Sequence, residues 1–300
     1  MRRTAHRTHL AGWLLVALSG ASCRSGPGRS ASGAGGASIT DDAGRTVALA
    51  APARRIVSLS PASTELLFAI GAGSQVVGRT TWCQYPAAAL AIPVVGDGLD
   101  PNIEAVAARR PDLVVLYRSP SNESAVAHFT RLGIPAVILR QDRIADVARD
   151  AHLLGRLTGH APRADSLAVA LAAVAATPAP PVHATVAFVV WDNPPMIIGA
   201  GSFLDELATL AGARNVFHDI PGASATVSLE TLASRNPEWI AVLEDSATNV
   251  PPAFAARPEW RVIPAVRAGR FLRLRGDLFG RPSPRAADAV STLRALLASP

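Results

Sequence analysis

The sequence contains no lysine, so all 29 of its basic residues are arginine. In a chain rich in Ala, Gly and Pro, that bias is better explained by GC-rich coding than by selection for a phosphate-binding surface. The formal charge of +6 and the isoelectric point near 10.7 therefore do not by themselves point to nucleic acid. Cysteine is nearly absent too, with only Cys23 and Cys83, which excludes a disulfide framework. No G-x-S-x-G, H-E-x-x-H or C-x-x-C occurs. The seven histidines, at 6, 9, 128, 152, 160, 183 and 218, are scattered, so no metal site is expected. His152, among apolar residues at helical spacing, reads as a partly buried structural histidine. No catalytic residue is assigned, and the chain is not expected to be an enzyme.

What is present supports a folded, exported protein. At 49% hydrophobic and 17% charged, 300 residues can bury a core and are long enough for two domains. Arg2, Arg3 and Arg7 precede an apolar stretch from Leu10 to Leu18, then small residues and Cys23. This is the pattern of a secretory signal, and the run falls short of the ~20 residues a membrane span needs. Removing residues 1–22 takes away three Arg and no acid, leaving +3. Gly20, Ala21 and Ser22 before Cys23 fit a lipoprotein signal, with Cys23 lipidated and a membrane anchor as the result. Gly20 stands where such signals usually carry Leu, and an ordinary cut nearby is the alternative. The Gly- and Ser-rich segment 23–38 reads as a flexible tether.

Beyond Ile39, short apolar runs alternate with helical patterns. Strands are expected at 56–59, 76–78, 93–95, 113–117 and 135–139, with helices from Ser63 to Gly71, at 103–109 and at 123–132. A long helical section follows from 142 to 177, closed by Thr177–Pro181. Strands at 185–190, 240–243 and 271–274 and helices at 203–210, 229–235 and 285–297 complete the chain. The alternation argues for α/β units with parallel strands.

A repeat is visible within it. NIEAVAARRPDLVVLY at 102–117 aligns without gaps to SLETLASRNPEWIAVL at 228–243, at a constant offset of 126. Glu104 matches Glu230, Ala107 matches Ala233, Arg109 matches Arg235 and Pro111 matches Pro237. Each half thus repeats one helix, breaker and strand unit.

In open α/β sheets, ligands bind beyond the carboxyl ends of the strands. Thr80 to Pro86 follows one predicted strand, Tyr117 and Arg118 end a second, and Trp191 and Asp192 end a third. Trp82, Tyr85, Tyr117 and Trp191 offer flat apolar surface to a large conjugated or macrocyclic ligand, with Arg118 and Asp192 to fix polar edges. Each Trp could instead pack under its own loop. Cys83 reads as a buried small hydrophobe. Gly199–Ser202 reads as a tight turn with Ser202 as a helix cap rather than half of a phosphate-binding turn.

The stretches RRIVSLSPASTELLFAIGAG, VVGRTTWCQYP, VVGDGLDPNIEAVAARRPDLVVLY, LGRLTG, VSLETLASRNPEWIAVL and GDLFGRPSPR together resemble the class III periplasmic binding proteins of ABC importers. These serve vitamin B12, haem and iron-siderophores, and the Thr80–Pro86 loop is most similar to cobalamin-binding members. The resemblance implies an α/β fold of two lobes with mainly parallel central sheets, joined by a single long helix, with the ligand cleft between them. The corresponding divisions are a signal at 1–22, a tether at 23–38, a lobe at 39–160, a connecting helix at 161–178 and a lobe at 179–300. It also implies the partners: an ABC permease dimer with its ATPase, and a corrinoid or other large metal chelate as ligand. No nucleic acid and no resident cofactor are implied, and the receptor would act as a monomer at the periplasmic or cell surface. Glu104 and Glu230 fall where one Glu per lobe docks on the permease, although a carboxylate in a first helical turn is also favoured locally by ~0.3–1 kcal/mol. One departure is Gly222–Ala225, where some B12 binders place a Trp. An iron-siderophore or haem receptor is the alternative ligand class. A metallocofactor enzyme on such a scaffold would need a Cys or His cluster that the sequence lacks.

Overall fold

The computed structural model describes residues 36–244 and 251–298. The expected signal, Cys23 and most of the expected tether lie outside these residues, and β1 (Ala37–Thr40) begins just inside the span expected to be tether. With β2 (Thr46–Leu49), β1 forms an antiparallel hairpin. The first half then runs β3 (Ile56–Ser58), α1 (Pro61–Ala69), β4 (Val76–Arg79), α2 (Ile103–Ala107), β5 (Leu113–Tyr117), α3 (Pro120–Arg131) and β6 (Ala136–Leu139). Its four strands pair in parallel in the order β4-β3-β5-β6. Leu113 to Leu116 are fully buried, as expected of a parallel strand covered on both faces.

Two helices, α4 (Ile144–Thr158) and α5 (Ala161–Ala175), lead into the second half. Gly159, at φ 79°, ends α4 in the left-handed conformation that permits the turn between them. The second half runs β7 (Ala184–Asp192), β8 (Pro195–Ile198), α6 (Phe203–Ala211), β9 (Ala213–Asn215), β10 (Ser224–Thr226), α7 (Leu229–Ser234), β11 (Trp239–Glu244), α8 (Pro264–Arg267), β12 (Phe271–Arg275), α9 (Gly276–Phe279) and α10 (Ala286–Ala298). Here β9, β7, β11 and β12 are parallel, and β8 and β10 add an antiparallel edge.

The halves share a core. A single apolar cluster takes in Ile56 and Val115 of the first sheet, Val186 and Phe188 of the second, and Leu66, Leu154, Leu171, Leu207 and Leu293 of the helices. The other face of each sheet has its own cluster, around Val114, Leu116 and Phe129 in the first half and around Phe217, Ile240 and Trp260 in the second. Apolar packing, and not a linker alone, joins the two sheets.

The repeat has a structural counterpart at the same offset of 126. Asn102 caps α2 through the Ala105 amide, and Ser228 caps α7 through the Thr231 amide. Arg110 (φ 48°) and Asn236 (φ 44°), the non-glycine residues with positive φ among those described, occupy equivalent positions. The following acids also correspond: Asp112 accepts from the Arg54 and Arg55 amides, and Glu238 accepts from the Thr185 amide, so each ties its strand to the neighbouring one.

Several expectations are corrected. Residues 93–95 form only an isolated bridge, from Val94 to Arg79. The strands β8, β9 and β10 were not foreseen, because three- or four-residue edge strands carry too little alternation to read. The His152 side chain is half exposed, its Nδ1 2.7 Å from Asp165, so it links α4 to α5 at the surface. Among the described residues no helix is long and apolar enough to cross a membrane.

Candidate ligand-binding site

The parallel strands of both sheets end on one cavity of about 670 Å³. Leu59 and Ser60 reach it from the end of β3, Trp82 and Gln84 from the loop after β4, Tyr117 from β5 and Gln141 from just beyond β6. Leu243 of β11 and Gly276, Asp277 and Arg281 beyond β12 form the opposite wall. The loop Asp97–Leu99 completes the rim. Gly98, at φ 85°, is required there, because a Cβ would stand 2.6 Å from the Leu59 carbonyl oxygen. Asp97 accepts from the Leu99 and Asp100 amides, which hold its carboxyl below the usual range.

Two buried amide side chains in this wall are half used. Asn122 donates through Nδ2 to the Tyr117 and Gly98 carbonyls, and its Oδ1 has no partner among the described residues. Gln141 accepts through Oε1 from the Ser60 and Ser63 hydroxyls, at 3.0 and 3.2 Å, and its Nε2 likewise has no partner. Both atoms have almost no accessible surface, so each is a buried polar group left unpaired, which a protein interior rarely tolerates. The Tyr117 hydroxyl donates to Asp142 at 2.9 Å. Burial and that carboxylate push its pKa up to about 12, so it stays a phenol.

Across the cleft, Glu65 of α1 is buried and clasped from the second half. Arg285 Nε lies 2.5 Å from it, the Ser283 hydroxyl 2.7 Å, and Arg281 Nε 3.7 Å. Arg285 also lies over the Tyr85 ring, 3.6 Å from its centroid, and donates to the Asp277 carbonyl. Burial alone would raise the Asp277 pKa, but Arg275 and Arg285 outweigh it and hold the carboxyl low.

Of the residues expected to meet a ligand, Trp82 and Tyr117 line the cavity. The Tyr85 ring is occupied by Arg285. Arg118 turns to Glu123 of α3, 3.0 Å away. Trp191 is exposed on the β7–β8 hairpin, its indole N–H donating to the Asn193 carbonyl, and Asp192 pairs with Arg257. Cys83 is buried between the hydroxyls of Thr64 and Thr80. Ser202 caps α6. Glu104 and Glu230 are exposed in the first turns of α2 and α7. Asn122, Gln141, Asp277 and Arg281 were not anticipated. The strand-end rule that singled out Tyr117 would have reached Gln141 and Asp277 had it been applied to β6 and β12.

Residues 56–278 match the model of the family described as periplasmic binding protein. The chain belongs to that family. Membership implies export, and the relatives are substrate-binding transport proteins rather than enzymes. A vitamin B12-binding protein of Yersinia pestis (strain Pestoides F) is 27% identical over 254 residues, covering 82% of this chain and 87% of the relative. Among solved structures, the periplasmic vitamin B12 binding protein of Vibrio cholerae superposes with a TM-score of 0.68 at 24% identity, covering 82% of this chain and 97% of that one. A periplasmic haem-binding protein in complex with two haems is 26% identical with a TM-score of 0.67, covering 81% and 97%. The fold is the two-lobed α/β fold of these binding proteins.

Proposed function

We propose that this periplasmic binding protein captures a corrinoid between its two sheets and delivers it to the permease of an ABC importer. The observation that carries the reading is the cavity of about 670 Å³ at the strand ends, lined by the exposed aromatic side chains Trp82 and Tyr117. Trp82, 57% exposed at the same wall, supplies a flat face for the macrocycle, and Tyr117 a second. Trp191, Tyr85, Arg118 and Asp192 lie outside the cavity lining, engaged by Asn193, Arg285, Glu123 and Arg257.

The haem-binding relative makes haem the second reading. Haem iron takes an axial His, Cys, Met or Tyr, and of these Tyr117 is the one among the described residues lining the cavity. Its raised pKa disfavours phenolate ligation near neutral pH. Among the described residues no cluster of three or more His, Cys, Asp or Glu could hold a metal ion, so a ligand would arrive with its metal already chelated.

Delivery rests on Glu104 and Glu230, equivalent exposed carboxylates that suit two equivalent basic sites on a two-fold permease. Lipidation at Cys23 would hold the receptor at the membrane, and Cys23→Ser should then release it into the soluble fraction. Titration of the mature protein with cyanocobalamin, haemin and ferric siderophores tests the ligand. Micromolar or tighter corrinoid binding is expected, and no affinity better than about 1 mM would overturn the assignment.

A further inference from the structure

The loop that carries Trp82 and Gln84 into the cavity wall leaves β4 at Thr80 and returns at Val95. Apolar packing does little to hold it. Between Thr81 and Val94 the buried residues are Cys83 and Ala89, both small, while Leu90 is 53% exposed and Val94 44%. Cys83 fixes the outgoing limb from within, its Sγ 3.0 and 3.1 Å from the hydroxyls of Thr64 and Thr80. One side chain ties the two limbs together. Arg79, the last residue of β4, is buried, and each nitrogen of its guanidinium donates to a main-chain carbonyl of the loop. Nη1 reaches Thr80 at 2.9 Å, Nε reaches Ile92 at 3.0 Å and Nη2 reaches Leu90 at 3.3 Å. Among the described residues no carboxylate pairs with it. A buried charge without a counter-ion is costly, and an apolar side chain of similar size would serve packing better. What the guanidinium supplies is a rigid fork of charge-assisted bonds that holds three carbonyls of one loop in a single geometry.

We infer that Arg79 is a positioning residue, which sets the Trp82 loop in its ligand-receiving shape before any ligand arrives. It does not line the cavity itself, and its bearing on affinity rests on the proposed role of that cavity in binding. The order of this wall is then built into the free receptor, and a ligand does not have to supply it.

Hydrogen exchange on the free receptor and stopped-flow binding of cyanocobalamin test this with Arg79→Lys, which keeps the charge but replaces the fork with a compact ammonium on a flexible stem. Amides of residues 81–92 are expected to exchange about tenfold faster than in the wild type, with those of β5 and α6 unchanged. Association should slow by about fivefold and dissociation stay within about twofold, since fewer receptors hold the loop ready while the contacts, once made, are the same. Trp82→Ala, which removes a contact, should instead speed dissociation. Adding Arg79→Lys to Trp82→Ala should cost less than about twofold more, because the residue it positions is already gone. Arg79→Gln, neutral and shorter, should show the same pattern and serves if Arg79→Lys folds poorly. Unchanged exchange in residues 81–92, a loss that lies in dissociation, or an equal cost of Arg79→Lys with and without Trp82 overturns the positioning role. Failure of the wild type to bind cyanocobalamin counts against the corrinoid reading alone, and exchange on the free receptor still decides what Arg79 does to the loop.

Discussion

At the starts of α2 and α7 the two halves are built alike. Asn102 and Ser228 cap the helices, Glu104 and Glu230 stand exposed in the first turns, and Arg110 and Asn236 share an unusual backbone conformation before the next strand. At the ends of those strands the likeness stops. β5 closes on Tyr117, hydrogen-bonded to Asp142, and the equivalent position near the end of β11 is Leu243, at the opposite wall. The retained features are those that set a helix terminus and a turn, or that face outward. The divergent ones line the cavity. A duplicated unit can present two matching charges to a symmetric partner while its inner ends differ to suit an asymmetric ligand.

The sharpest way to break this comparison is to remove the matching charges. Glu104→Ala combined with Glu230→Ala is expected to reduce ATP-driven uptake in permease-containing vesicles to background while leaving ligand affinity unchanged, and each single variant should lose activity to a similar degree. Unimpaired uptake by the double variant would refute the docking role. Next in size is Glu65→Ala, which strands Arg281 and Arg285 without their buried carboxylate and should cost about 3–5 kcal/mol in denaturant unfolding. Asp219→Ala, at an exposed pair with Arg235, should leave the unfolding midpoint within error. Trp82→Ala should weaken ligand binding by about tenfold through lost stacking. Tyr117→Leu, which gives β5 the residue found at the equivalent position of β11, should weaken it by about fivefold through the lost aromatic face. If Tyr117→Leu binds as tightly as wild type, the divergence at that position has no bearing on the ligand.

The smallest effect concerns pH. In α4, Asp150 is buried, and that burial pushes its pKa up to about 7 against the pull of Arg149. Because the folded state then holds this proton more tightly than the unfolded chain does, its contribution to stability falls as pH rises from about 4 to about 7. Asp150→Asn should flatten that part of the stability profile, as read by thermal unfolding across the range. An unchanged slope would place the ionisation elsewhere.

The family stretches, the repeat and most parallel strands were legible in the sequence, because buried runs such as Leu113–Leu116 and capped helix starts such as Asn102 are local signals. The cavity was only half legible. Trp82 and Tyr117 follow from counting residues past a strand. Tyr85 and Arg118 stand at equally good places in the chain, but Glu123, five residues on, takes Arg118, and Arg285 takes Tyr85 from 200 residues away, a pairing that leaves no local trace. Asn122 and Gln141 were missed for the opposite reason. Each is a neutral residue of no motif, and its interest lies in an atom left over after its other bonds are made.

The clasp of Arg285 by Glu65, with the Tyr85 ring stacked beneath it, bears on how cargo leaves. Glu65 and Tyr85 belong to the first half and Arg285 to the second, so parting the sheets means pulling a guanidinium off a buried carboxylate and an aromatic face together. That clasp resists separation of the two sheets. On the proposed reading, work to open the cleft would then have to be supplied by whatever the receptor docks on.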